Sequence, residues 1–200
     1  DAVDDIINFV NTSKRRLYIA QQYVYKEWGT TKAPKPDPLL EAAIDRARNG
    51  IEVKVLLDST WYNIDDDGKS NKDTVDYVTD IAKRENLNLE ARLIDLKKLN
   101  LDKLHGKLVI ADNAVLVSSI NWGENSPTNN REAGVIFYGD AADYYEKIFF
   151  NDWNSETSNE NRGDSETGAT GRAAEDRTPI ILATVVVIII IVIILLTRRK

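Results

Sequence analysis

The 200 residues are 42% hydrophobic, 29% charged and 8% aromatic, a balance that excludes a wholly disordered, collagen-like or disulfide-scaffold chain. Lysine and arginine number 26 against 32 acidic residues, for a net charge of -6, so a basic coat for bulk nucleic-acid binding is absent. There is no cysteine, which removes disulfides, thiolate metal sites and a cysteine nucleophile, and the single histidine means that any imidazole chemistry uses His105. Methionine is missing too, position 1 included, and a chain opening on Asp1 reads as a fragment or a processed product.

From the N-terminus, Val3, Ile6, Ile7 and Val10 recur at helical spacing and predict a helix over Ala2 to Val10. A strand is expected over Arg16 to Val24. Asp37-Pro38 supplies a side-chain acceptor and a first-turn proline, so a helix starts there and runs through Leu40, Ala43, Ile44 and Ala47 to a stop at Asn49-Gly50. Ile51, Val53, Val55 and Leu57 alternate as a strand, and Asp73 to Arg84 is helical, with Val75, Val78 and Ile81 on one side. Strands follow at Leu89 to Ile94, Leu108 to Ala111, Val115 to Ser118 and Ala133 to Tyr138, before a helix over Ala141 to Phe150. This order predicts an α/β fold with a mixed sheet between helical layers. Trp122 and Tyr62 are expected to pack, and Tyr144, Tyr145, Phe149, Phe150 and Trp153 share helical spacing expected to face the core. The stretch Asn63 to Gly68 imitates a calcium loop, but its twelfth position is Thr74 where a glutamate is needed, so it reads as a solvated acidic loop.

The predicted folded unit is residues 1–153, which carries 20 basic and 26 acidic residues and so holds the acidity itself. Residues 154–178, rich in Ser, Asn, Gly, Glu and Asp without apolar periodicity, are expected to be a disordered polar linker. Ile180 to Leu196 then runs 17 residues without a charge. As a helix it spans roughly 25 Å, and with its flanks, residues 179–197, it is expected to be a single transmembrane helix. Arg198, Arg199 and Lys200 form a basic tail at 198–200 that places the C-terminus in the cytoplasm and the domain outside it.

The chemistry concentrates after residue 104, in LHGKLVIADNAVLVSSINWGENSPTNNREAGVIF. On an extended chain His105 and Lys107 leave one face about 7 Å apart, close enough to address a single anion. Ser118, Ser119 and Asn121 are small donors at the end of the next strand, and Glu132 follows a polar loop. Histidine can act as nucleophile or general acid and base, and lysine, serine and asparagine can hold phosphate oxygens, so the set reads as a phosphate site.

His105-Gly106-Lys107, four residues and Asp112 resemble the H-x-K-x4-D signature of the phospholipase D superfamily. Ser118-Ser119-Ile120-Asn121 and Asn130-Arg131-Glu132 are similar to the serine–asparagine pair and the acidic residue that follow it there, and the likeness extends over nearly all of residues 1–153. Two departures stand out: Ser118 replaces the usual glycine, and five residues separate Asp112 from Ser118 where many members have six. The resemblance implies a phospholipase D-like mixed β-sheet between helices and a catalytic set of His105, Lys107, Asp112 and Glu132. Within it His105 would be nucleophile or acid, Glu132 would orient the imidazole, and Asp112 would support the site. Lys107, Ser119 and Asn121 would bind the phosphate, and no metal or cofactor is implied. Family sites join two such signatures, and this sequence has one. The second half is therefore expected from a missing N-terminal segment or from a homodimer.

The function expected on this basis is a membrane-anchored phosphodiesterase that hydrolyses phosphodiesters, phospholipid headgroups first, through a covalent phosphohistidine. A membrane-tethered, metal-independent endonuclease acting on nucleic acid is the alternative. A non-catalytic dimerisation or interaction half-domain is the third reading.

Overall fold

The computed structural model describes residues 1–65 and 69–155. Helix α1 (Ala2–Asn11) starts at Asp1, whose carboxylate accepts from the Asp4 amide at 3.0 Å. Strand β1 (Arg16–Gln21) follows, then a hairpin of β2 (Glu27–Thr30) and β3 (Ala33–Pro36). Helix α2 (Pro38–Arg48) is capped by Asp37, whose Oδ1 accepts from Leu39 N at 2.8 Å and Leu40 N at 3.4 Å. Strand β4 (Glu52–Leu57), the short α3 (Trp61–Ile64) and α4 (Asn71–Glu85) come next, with Ser70 and Asp73 closing a reciprocal capping box on α4. The chain continues through β5 (Leu89–Leu93), the short α5 (Leu96–Leu99), β6 (Leu108–Ala111), β7 (Ala114–Ser118), α6 (Asn125–Asn129), β8 (Gly134–Tyr138) and α7 (Asp140–Trp153).

Six strands form one mixed sheet in the order β5-β4-β1-β6-β7-β8. The first three are parallel, joined by helical crossovers, and the last three run antiparallel, β6 and β7 through a tight turn and β7 and β8 through a longer loop that carries α6. Side chains alternate between two layers. Leu17 and Ile19 of β1 join α1, α2 and α4 on one face, while Tyr18 and Ala20 join α7 on the other. On the α7 face Phe149 stacks on Tyr18 with centroids 5.2 Å apart and on Trp153 at 5.5 Å. Burying a ring such as Phe149 contributes about 1.5–3 kcal/mol.

The mixed sheet between helices is the expected α/β architecture. Five short elements were not expected. The hairpin of β2 and β3, in EWGTTKAPKP, has neither apolar alternation nor a central-strand composition, and α3, α5 and α6 are single turns. The strand expected to reach Val24 stops at Gln21, and Val24 instead makes an isolated bridge to Trp122. Trp122 packs as expected, 1% exposed, but Tyr62, on the short α3, does not, at 43%. Along α7, Phe149 and Trp153 reach the core whereas Tyr144 stays 61% exposed on the outer face. Among the described residues no helix is long and apolar enough to cross a membrane. The expected span at 179–197, most of the linker at 154–178, and part of the acidic loop at 63–68 lie outside the described residues.

Candidate active site

Topology brings distant segments to one edge of the sheet. Strands β1 and β4 are parallel and end there, antiparallel β6 begins there, β7 ends there, and β8 begins there. Backbone bonds tie the edge together: Asp58 N donates to Gln21 O at 3.2 Å, Ser118 N to Lys107 O at 3.0 Å, and Ser119 N to Ala133 O at 2.9 Å. His105, Lys107, Ser119, Asn121 and Glu132 are thereby gathered from 28 positions of sequence onto a single rim.

Lys107 is 6% exposed. Its ammonium donates to the His105 carbonyl at 2.7 Å and to Gln22 Oε1 at 3.3 Å, which holds a cation at the base of the rim. Burial pushes its pKa below the ordinary lysine value, with Lys103 adding to that and Glu132 opposing it. His105 itself is exposed. Partial desolvation, then the charges of Lys107 and Lys103, lower its pKa from the usual 6.5, against an opposing pull from Asp58. The imidazole is therefore neutral at pH 7, the form that can attack an electrophile.

Glu132 is engaged differently from expectation. Its carboxylate accepts from the Ser119 and Ser126 hydroxyls, the latter at 2.6 Å, and from Asn130 Nδ2 at 3.2 Å. Those bonds, led by Ser119, hold its pKa below the ordinary glutamate value. Among the described residues it makes no hydrogen bond to His105, so the imidazole is not oriented by it in this state. The Ser119 hydroxyl, expected on phosphate, lies between Glu132 and the Ala133 amide. The Asn121 side chain favours the ionised form of the neighbouring Tyr23 hydroxyl, and among the described residues its own amide oxygen is buried without a partner.

Asp112 does not join the group. It sits past the far end of β6, roughly 16 Å along an extended strand from Lys107 at about 3.3 Å per residue. There, with φ at 52°, its carboxylate accepts from the backbone amides of Lys14 at 2.7 Å, Arg15 at 3.0 Å and Arg16 at 3.2 Å. Expected to support the site, Asp112 here ties the start of β1 to the β6–β7 turn.

Three contributors lay outside the signature. Asp58, fully buried after β4, accepts from Leu104 N at 2.6 Å through Oδ1 and from Thr60 and Asn63 through Oδ2, which pins the residue before His105. Gln22 and Tyr23 arrive from the end of β1. An acidic residue directly after the apolar run VKVLL was the one local signal for Asp58, and nothing near Gln22 or Tyr23 marked them.

The family described as cardiolipin synthase, PLD-like domain, matches residues 6–153. The chain belongs to that family. Among solved structures, the PLD-like domain is similar to Nuc, a phospholipase D family member from Salmonella typhimurium, at 16% identity and a TM-score of 0.58, covering 77% of this chain and 88% of that one. It is also similar to NucT from Helicobacter pylori, at 20% identity and a TM-score of 0.56, covering 78% and 89%. At these identities the likeness shows the fold. No curated protein matches the chain.

Proposed function

We propose that this PLD-like domain hydrolyses phosphodiesters through a phosphohistidine on His105. The observation that carries the reading is the near-buried Lys107 ammonium held against the His105 carbonyl, a fixed cation beside a neutral imidazole. In the first step a His105 ring nitrogen attacks phosphorus and the bond to the leaving alcohol breaks, with the proton for the alkoxide supplied by a second histidine. In the second, water deprotonated by that same histidine attacks phosphorus, and breaking of the P–N bond returns His105. Lys107 stabilises charge on the non-bridging oxygens, and Asn121 and Ser119 join it once Ser119 turns from Glu132.

The second histidine comes from another half-domain, a second copy or an upstream segment. The edge strand β8 supports this, since all five residues are exposed and it starts beside Glu132. Phospholipid headgroups are the substrate class we favour. Exposed Trp61 and Tyr62, at the same sheet edge after β4, suit a water–lipid boundary, and the apolar run at 179–197 would hold the domain on the extracytoplasmic side of a membrane. The same two rings would also stack bases, which favours a metal-independent endonuclease as the second reading.

The test is intact mass, assembly state and turnover of the detergent-solubilised chain with bis(p-nitrophenyl) phosphate, wild type against His105→Ala. An assembly of two halves that turns over and gains an adduct lost in the variant is expected. Full activity in His105→Ala would overturn the reading. Cleavage of single-stranded DNA, lost steeply with salt, in place of phospholipid would select the endonuclease.

A further inference from the structure

Behind the rim, a side chain from the start of α4 joins the exits of β1 and β4. The last backbone bond between the two strands runs from Asp58 N to Gln21 O at 3.2 Å, and past it the strands part. There the Asn71 amide takes the place of a peptide. Its Nδ2 donates to Gln22 O at 2.7 Å and to Asp58 O at 2.8 Å, while its Oδ1 accepts from Val24 N at 3.1 Å. Asn71 is fully buried, and these bonds use both of its side-chain donors.

Helix α4 does not need this side chain for its own start, since Ser70 and Asp73 already close the capping box there. What Asn71 holds are the two residues that reach the candidate site from behind. Gln22, fixed by its carbonyl, accepts from Lys107 Nζ at 3.3 Å through its own side chain. Asp58, fixed in the same way, accepts through Oδ1 from Leu104 N at 2.6 Å, one residue before His105. One buried amide therefore governs two arms, one ending on the ammonium and the other on the backbone of the histidine. A displacement of about 1 Å, set off at a distance from the chemistry, can cost on the order of 10²-fold in rate. Thr74, about one turn along the same helix, supplies a contrast. It is equally buried, and its hydroxyl lies on Val24 O at 2.6 Å and Ser70 O at 3.2 Å, but among the described residues it makes no hydrogen bond to Gln22 or Asp58.

We propose that Asn71 is a positioning residue of this site, setting Lys107 against His105 by holding Gln22 and Asp58 in register. Its effect on rate rests on the phosphodiesterase reading above; its effect on the imidazole stands without it.

The test compares Asn71→Leu with Thr74→Val in the full chain in detergent, at a temperature where circular dichroism shows each to be folded. Asn71→Asp, which keeps an acceptor for Val24 N and loses the two donations, serves where Asn71→Leu does not fold. With bis(p-nitrophenyl) phosphate, kcat of the Asn71 variant should fall roughly 10–10²-fold with KM moving less. Thr74→Val, whose cost is in stability, should keep the wild-type kcat. The second readout needs no turnover: the chain has one histidine, so ¹³C-labelled histidine gives a single imidazole signal by NMR. That signal should move in the Asn71 variant and stay in place in Thr74→Val. Where the wild type is active, an unchanged kcat in a folded Asn71 variant overturns the proposal, and so does an equal loss in Thr74→Val. Failure of both Asn71 variants to fold also overturns it, in favour of a purely structural role. Where the wild type leaves the diester intact, the phosphodiesterase reading falls and the imidazole signal decides. Movement in the Asn71 variant alone then leaves the positioning of His105 standing, whereas no movement, or equal movement in Thr74→Val, overturns it.

Discussion

The two ends of β6 carry the two halves of one sequence signature, and they do opposite things. At the N-terminal end, Lys107 is buried with its charge aimed at the rim and His105 stands in solvent, an arrangement that stores reactivity. At the C-terminal end, the charge of Asp112 is matched by three backbone amides, an arrangement that stores stability. Residues that travel together in a motif need not meet in space. A strand of four residues is long enough to place His105 and Lys107 at one end of the sheet and Asp112 at the other.

Substitutions at the two ends can break this contrast. His105→Ala has the largest expected effect on rate, a loss of about 10²–10⁴ or more. Its thermal unfolding should stay close to wild type, because an exposed side chain without a hydrogen bond contributes within about 0.5 kcal/mol. A large drop in melting temperature would show that this end is structural after all. Lys107→Met, which keeps the buried stem and removes the charge, should cost roughly 10²–10³ in kcat, with the loss in transition-state stabilisation and KM moving less. Asp112→Ala should reverse the pattern. Chemical denaturation should show a loss of about 1–3 kcal/mol as the Lys14 to Arg16 amides lose their acceptor, while the folded fraction keeps its rate and pH profile. Asp112→Asn should cost less, since asparagine tolerates a φ of 52° and retains an acceptor. A collapse of kcat in folded Asp112→Ala would return this residue to the active site.

The smallest effect sharpens the electrostatic side of the comparison. In the proposed mechanism His105 attacks as a neutral imidazole, and its pKa is lowered from 6.5, so the acid limb of kcat/KM should fall below that pH, with activity lost as pH drops through it. Lys103 disfavours the imidazolium. Lys103→Gln removes that repulsion, raises the His105 pKa, and should move the limb a few tenths of a unit toward higher pH, less at high salt. A shift in the other direction would show that Lys103 is not felt at the imidazole.

Much of this was legible in the chain because it is local. Helical spacing in Ile6, Ile7 and Val10, the Asp37-Pro38 start, and alternation in Ile51 to Leu57 each depend on neighbours within a few residues, and the corresponding elements formed. His105 and Lys107 were legible for the same reason, their separation by two positions being itself the chemical signal. The hairpin at 27–36 escaped because its pairing lies in backbone hydrogen bonds that its Lys-, Pro- and Thr-rich side chains do not advertise. The bonding of Glu132 escaped because the choice between His105 and the Ser119–Ser126 pair is settled by distance across a rim, and no spacing encodes that.

By itself the sequence determined the layered α/β order, the acidic charge and the single imidazole, since composition and short-range periodicity follow from the covalent chain. Only the tertiary structure decided that Asp112 anchors and Asp58 positions. It also decided that Tyr23 and Tyr25 lie against Gly123 beside the rim of His105 and Lys107, because each is a relation between segments tens of residues apart, brought together by the direction in which neighbouring strands run.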